Sequence, residues 1–237
     1  MIGRLYFNSG YHTKCITAVV SICLFTLTAN AQSRGFSASV SGGFSKAKSS
    51  NGGSLFTEAD KGYYVQASGM FPLGKRWGGV VNIQHNVLSA NSKGMAERLL
   101  HTDPNAVALT VETGAFNITN AGAGIYYDWN FGNSFFVRLS PLIGYSQLQT
   151  PEITVIADTE PHTTYTYKAG GSGAFYYALH VRPSLMINKR FAVLIDAGYQ
   201  YAGYKLSGIM GKQVLDDKVN YGTFNAGLGF QYRFGSK

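Results

Sequence analysis

The chain has 237 residues and a formal net charge of +8, yet only 14% of its residues are charged, against 29 glycines, 16 tyrosines and 15 phenylalanines. Sparse charge with so many small and aromatic residues is unusual for a soluble domain, and beyond the leader no stretch approaches the apolar run of about eighteen residues of a spanning helix, which leaves β structure. The basic residues are scattered rather than clustered, which excludes a nucleic-acid footprint; their charge reads as loop solvation and contact with anionic lipid headgroups.

Met1 to Ala31 carries Arg4 and Lys14, then the apolar run Ile16 to Leu27, then Ala29-Asn30-Ala31. This is the layout of a secretory signal peptide with cleavage before Gln32. The run is too short for a spanning helix, and the bulky Ile22 before Cys23 argues against lipidation. Both cysteines, Cys15 and Cys23, fall in this segment. Thiol catalysis and cysteine-held metals are thereby excluded from the exported domain, expected over 32–237.

Along that domain the signal is alternation with a period of two, apolar on one face and small or polar on the other. The first segment, Gly35 to Ala47, sets Phe36, Ala38, Val40 and Phe44 against Ser37, Ser39, Ser41 and Ser45. The second, Gly62 to Phe71, sets Tyr63, Val65, Ala67 and Phe71 against Tyr64, Gln66, Ser68 and Met70; the third, Trp77 to Leu88, sets Val81, Ile83 and Val87 against Asn82, Gln84 and Asn86. The fourth, Ala115 to Trp129, is glycine-rich in its middle but ends with Ile125, Tyr127 and Trp129 on one face. The fifth starts at Phe135 and alternates Val137, Leu139, Ile143 and Tyr145 with Arg138, Ser140 and Ser146. In the sixth, Phe175, Tyr177, Leu179, Val181, Leu185 and Ile187 oppose Tyr176, His180, Arg182 and Ser184. The seventh sets Phe191, Val193, Ile195, Tyr199 and Tyr201 against Asp196, Gly198 and Gln200, and the eighth sets Phe224, Leu228, Phe230, Tyr232 and Phe234 against Thr223, Asn225, Gln231 and Arg233.

The joins near Pro72, Asn130 and Lys189 are short, whereas Lys46 to Lys61, Ser89 to Gly114, Gln149 to Ser172 and Gly203 to Asn220 are long. Short turns alternating with four long outer loops are the habit of outer-membrane barrels. Met95 to Leu100 suggests a short helix within the second long loop, and Ala106 to Glu112 and Ile153 to Ala157 leave ten strands open as an alternative to eight. Pro141 and Pro183 interrupt two strands and predict a local irregularity at each, since proline cannot donate to a ladder.

A soluble barrel around an apolar ligand would show the same period with its apolar face inward. Three features favour lipid outside. The polar set contains Arg138, His180, Arg182, Asp196 and Arg233, suited to an ion-paired interior polar network in which Asp196 pairs with His180 and Arg182. Aromatics gather towards both strand ends, with Tyr204 and Tyr221 assigned to the loop-side belt. Lysines and most acids lie in loops and turns, leaving the apolar faces uncharged.

The leader ending Ala-Asn-Ala-Gln, the Ala-Gly-Ala-Gly-Ile-Tyr-Tyr segment at Ala121 to Tyr127 and the aromatic last strand Phe224 to Phe234 resemble the outer-membrane β-barrel-domain proteins of Bacteroidetes-type bacteria, broadly similar to the OmpA transmembrane, OmpX and OmpW group. The resemblance spans nearly the whole exported part and is architectural. It implies an all-β, eight-stranded antiparallel up-and-down transmembrane barrel in the cell outer membrane of a Gram-negative bacterium. It also implies insertion by the barrel-assembly machinery, although Gly235-Ser236-Lys237 extend past the aromatic at which such insertion signals usually end. No peptidoglycan-binding domain is expected after the barrel. The function expected is structural or interactive, with outer-membrane lipids and a surface partner on the long loops, and without a cofactor or metal. A narrow channel or conduit for small apolar solutes is the alternative, although the bulky inward set Tyr64, Met70, Phe136, Tyr176, Arg138 and Arg182 opposes a wide pore. A lipid-modifying enzyme is a third reading, with His85 and Ser89 the nearest pair to a hydrolase but no carboxylate held beside them.

Overall fold

The computed structural model describes residues 35–49, 58–102, 109–157, 163–167, 170–210 and 213–235. The expected leader at 1–31 therefore lies outside the described residues. Eight strands close into one antiparallel barrel: β1 (Ser37–Ser49), β2 (Ala59–Pro72), β3 (Trp77–Ala90), β5 (Ala115–Phe131), β6 (Phe135–Gln149), β9 (Gly171–Met186), β10 (Phe191–Met210) and β11 (Gln213–Arg233). Each barrel strand pairs with the next barrel strand in the chain, and β11 returns to β1 across a register running from Ser37↔Arg233 to Ser49↔Tyr221. The segments that left a ten-stranded barrel open do not enter the wall. β4 (Leu109–Thr113) and β7 (Ile153–Ala157) join β8 (Thr163–Tyr167) in a separate three-stranded sheet in the order β4-β7-β8. α1 (Ser92–Thr102) precedes β4 in the same long loop.

Strand alternation places side chains in two opposite worlds. Serines and amides of the inward set, including Ser39, Ser41, Gln66, Asn82, Gln84 and Asn120, are buried. The apolar set faces out, with Phe44 83%, Ile143 72% and Phe175 88% exposed. An exposed apolar band all round a closed sheet is a surface made for lipid, because a closed wall pairs its backbone polar groups strand to strand and leaves no edge. At the turn end, rings follow one another around the rim: Phe36 lies 5.2 Å from Phe71 and 5.3 Å from Phe234, Tyr232 4.6 Å from Phe234 and Tyr127 5.2 Å from Trp129. Tyr177 and Tyr201 stack at 5.3 Å towards the loop end. These are the two interfacial girdles of a membrane barrel.

The turns explain themselves locally. Gly132 has a φ of 80° between β5 and β6, a conformation glycine adopts without steric cost. Asn188 accepts hydrogen bonds at its side-chain oxygen from the backbone N–H groups of Arg190 (2.8 Å) and Phe191 (2.9 Å), closing the β9–β10 turn.

Two expectations need correction. The stretch Gly203 to Asn220 is not all loop: β10 and β11 stay paired as far as Met210↔Gln213, and inward and outward residues still alternate up to Leu206 on β10 and from Lys218 on β11. For the same reason Tyr204 and Tyr221 do not belong to the outer belt. They fall on inward positions, 1% and 2% exposed, with their rings 6.1 Å apart. The irregularity expected at each proline is present, as an interruption of pairing without a shift of register. The β5–β6 ladder lapses between Gly124↔Leu142 and Tyr127↔Leu139, beside Pro141, and the β9–β10 ladder lapses between Leu194↔Ser184 and Ala197↔Val181, beside Pro183, with the same register on both sides. Each proline still stands in the β6–β9 register, opposite Leu179 and Val137, so the missing donor is felt on one side only.

The lumen changes character along its length. Within the band it is polar. At the loop end, Leu88, Phe116, Ile118, Leu148, Leu206 and Val219 turn inward and are buried together with Met95 of α1 and with Ile153 and Val155 of β7. The barrel is thus apolar outside and polar inside at one level, and closed by an apolar core at the next.

Candidate functional site

The polar lumen is organised around two carboxylates. Asp196 on β10 is 1% exposed and accepts four hydrogen bonds. Its Oδ2 takes one from Ser41 Oγ (2.8 Å) and one from Gln66 Nε2 (2.9 Å), and its Oδ1 takes one from His180 Nδ1 (3.1 Å) and one from Arg182 Nε (3.1 Å). The donors come from β1, β2 and β9, so one side chain links four strands. Local register explains why they meet. His180 is the direct partner of Gly198, and a Cβ on Gly198 would stand 2.7 Å from the imidazole. The missing side chain is the room in which the ring lies.

A second alignment crosses the seam where the sheet closes. Tyr64 pairs with Gly43, Gly43 with Gly227 and Gly227 with Asp196, a line through four neighbouring strands. A Cβ on Gly227 would meet Tyr64 Oη at 2.8 Å, so the phenol of β2 reaches across β1 to β11 over bare backbone. Tyr176 repeats the device on the other wall: Gly122, Gly144 and Tyr176 share a register line, and a Cβ on Gly144 would meet its ring at 2.8 Å.

The other carboxylate sits near the turn end. Asp128 and Arg138 face each other across the β5–β6 pair and form a two-pronged ion pair, Nε to Oδ1 at 2.7 Å and Nη2 to Oδ2 at 2.8 Å. This is the planar fork geometry in which an arginine–carboxylate pair is strongest. Arg138 Nη1 also donates to Gln231 Oε1 (3.2 Å) and touches Met70 Sδ, and the guanidinium lies 4.3 Å from the Tyr126 ring. Arg233, half-buried at the end of β11, stacks 5.1 Å from the Phe136 ring.

The structure therefore brings His180, Arg182 and Asp196 into one cluster, holds Arg138 in another and leaves Arg233 beside the second through Phe136. Ser41, Gln66 and Asp128 complete these clusters without having stood out in the sequence. Ser41 is one of many inward serines, and its value arises only when β11 brings β1 beside β10. Asp128 follows two tyrosines next to a turn, and the signal that would have found it is its register opposite Arg138.

Between the charged lumen and the apolar mouth, Asn120 Nδ2 donates to Gln200 Oε1 (2.8 Å), and Ser146 Oγ contacts both Asn120 Oδ1 and Tyr204 Oη. A cavity of about 10 Å³ lies here, bordered by Tyr176, Gln200 and Thr223 among others. That is room for about one water and far below the roughly 300 Å³ at which ligand sites begin. His85 and Ser89 do not form a catalytic pair. His85 Nδ1 bonds Thr119 Oγ1 at 2.9 Å on the outer face, and Ser89 Oγ donates to the Lys61 carbonyl at 2.6 Å. Among the described residues, no cluster of three or more His, Cys, Asp or Glu offers itself to a metal ion.

No protein-family model matches the chain, and no curated protein matches it. Solved structures do. A major outer membrane protein from Thermus thermophilus matches with a TM-score of 0.52 at 12% identity, over 85% of this chain and 100% of the other. Ail, the attachment invasion locus protein of Yersinia pestis, solved with a heparin analogue, matches at 0.46 and 17% identity over 85% and 99%. Neisserial surface protein A matches at 0.44 and 15% identity over 84% and 97%. The Thermus likeness shows a shared fold, that of an outer-membrane barrel. The exposed apolar band and its two girdles place this chain in that membrane by its own chemistry.

Proposed function

We propose that the protein is a non-conducting, non-enzymatic outer-membrane barrel that displays a rigid ledge at the cell surface for contact with a partner. Insertion by the barrel-assembly machinery belongs to the same reading. The observation that carries it is the double closure of the lumen. Arg182, Tyr64 and Met70 fill the level within the band, and an apolar core roofs it at the loop end. Eight strands leave an interior only wide enough for side chains, and here the side chains are large.

The roof has a second consequence. Met95, Ile153 and Val155 are buried in the same core as the barrel strands, so α1 and the β4-β7-β8 sheet are fastened to the wall and not hung from it. Their outer surfaces are polar, with Lys93, Glu97, Thr110, Glu112 and Glu152 exposed. A fixed polar platform loses little freedom on binding, which favours a recognition role.

Planar-bilayer recording of the refolded barrel is the test. A flat current trace, with the chain present and showing its heat-dependent gel shift, is the expected result. Unit conductance steps from the wild-type protein would refute the closed lumen and return a channel to first place.

A further inference from the structure

We infer that one flank of the barrel, β2-β1-β11-β10, is a docking site for a phosphorylated lipid of the surrounding leaflet, held by a rim of five lysines above the apolar band. The inference rests on the membrane-barrel reading and adds a ligand to it.

Lys46 and Lys48 on β1, Lys61 on β2, Lys205 on β10 and Lys218 on β11 are all exposed and all lie towards the loop ends of their strands. These four strands are consecutive in the wall. The other half of the barrel differs. Outward positions at the corresponding ends of β3, β5, β6 and β9 carry His85, Ser89, Asn117, Thr119, Gln147 and Gln149, with no lysine or arginine among the described residues. Basic charge on the membrane-facing wall is thus confined to one side.

Register sharpens the point. Lys46 is the direct partner of Lys61, and Lys205 is the direct partner of Lys218. Opposed residues on antiparallel strands have Cβ atoms about 5 Å apart, and like charges there are destabilising. Asp60 on β2 lies next to Lys61 in the chain. The directly opposed Lys46–Lys61 pair is an unfavourable arrangement for a bare surface. It becomes favourable when an anion with several oxygens sits between the ammonium groups, each offering three donors.

The surface below supplies the other half of such a ligand. Phe44 pairs with Tyr63 one step below the Lys46–Lys61 pair on the same face, and both rings are exposed. The step from ring to ammonium is two residues, about 7 Å along a strand. A phosphate at lysine height with acyl chains against Phe44, Tyr63 and Val40 satisfies both. The Lys205–Lys218 pair stands four residues beyond Tyr201, about 13 Å further along the strand, which suits a second anionic group further from the bilayer.

The test uses the full exported chain in neutral detergent, with bisphosphorylated lipid A as probe and its dephosphorylated form as the matched control. Native mass spectrometry reads the lipid retained, and the heat-dependent gel shift reports folding. The expected result is at least a fivefold preference of the wild-type barrel for the bisphosphorylated form. That preference should vanish in K46Q/K61Q/K205Q/K218Q and persist in K75Q/R76Q, which removes equal charge kind from the turn end. Equal retention of the two lipid forms would overturn the inference. So would a preference that survives the four lysine substitutions, is lost equally in K75Q/R76Q, or is matched by inorganic phosphate alone. A wild-type chain with no heat-dependent shift would instead overturn the barrel reading on which the inference stands.

Discussion

Asp196 accepts hydrogen bonds from four side chains, and each of those donors is left without its acceptor when the carboxylate is removed. Asp196→Ala is expected to destabilise the barrel by about 3–5 kcal/mol, because Arg182 then keeps a buried charge with no counterion. Urea unfolding in lipid vesicles measures it; an unchanged midpoint would show that the lumen solvates Arg182 by other means. Gly198→Ala is expected to cost roughly 1–3 kcal/mol by overpacking against the His180 ring. Since that ring is what the new methyl would strike, the cost should fall to near zero in a His180→Ala background, and a double-mutant cycle reads the coupling directly. Parity alone put Arg138, His180, Arg182 and Asp196 on the inward set of their strands. It could not supply Ser41, Gln66 or Asp128, whose importance depends on which strands become neighbours and in what register. Nor could it show that the glycines at 198 and 227 leave space for particular rings.

At the level of elements, alternation located every barrel strand but ended several too early. The pattern weakens where β10 and β11 leave the membrane, since inward positions change there from polar to apolar while outward ones change from apolar to lysine; Leu206 and Val219 inside with Lys205 and Lys218 outside reverse the rule that marks the lower strands. Reading Gly203 to Asn220 as loop confused this reversal with an end. The helix suggested at Met95 to Leu100 is real and starts earlier, at Ser92, because Asn91 caps it: the Gly94 N–H donates to Asn91 Oδ1 at 3.1 Å, and the Asn91 N–H donates to the Glu58 carbonyl at 2.8 Å. Asn91→Ala should loosen α1 by about 1 kcal/mol. Amide exchange over α1 should quicken severalfold while the exchange of β5 and β6 stays as it was. Uniform acceleration in both would mean that the cap serves the barrel and not the ledge.

For the whole molecule, the division between a lipid-adapted cylinder and a conventional apolar core above it predicts separable behaviour. Replacing residues 92–113 by a short glycine-serine link uncovers Leu88 and Phe116 but leaves every wall strand intact. The shortened protein should still show its heat-dependent gel shift, should bind a hydrophobic dye that the parent does not, and should still pass no current, because Tyr64 and Arg182 remain in place below. Loss of the gel shift would show that the ledge is required for the cylinder to form. The distribution of Asp196's donors along the chain carries a further consequence, one of time. Ser41 and Gln66 belong to the first two strands, Asp196 to the last hairpin, and Tyr64 meets Gly227 only across the β1–β11 seam. Until that seam shuts, the carboxylate has its two neighbours from β9 and lacks the other two. The bonds completed last are therefore those joining the beginning of the polypeptide to its end, so the newborn barrel carries at its centre an internal record of whether the circle has been closed.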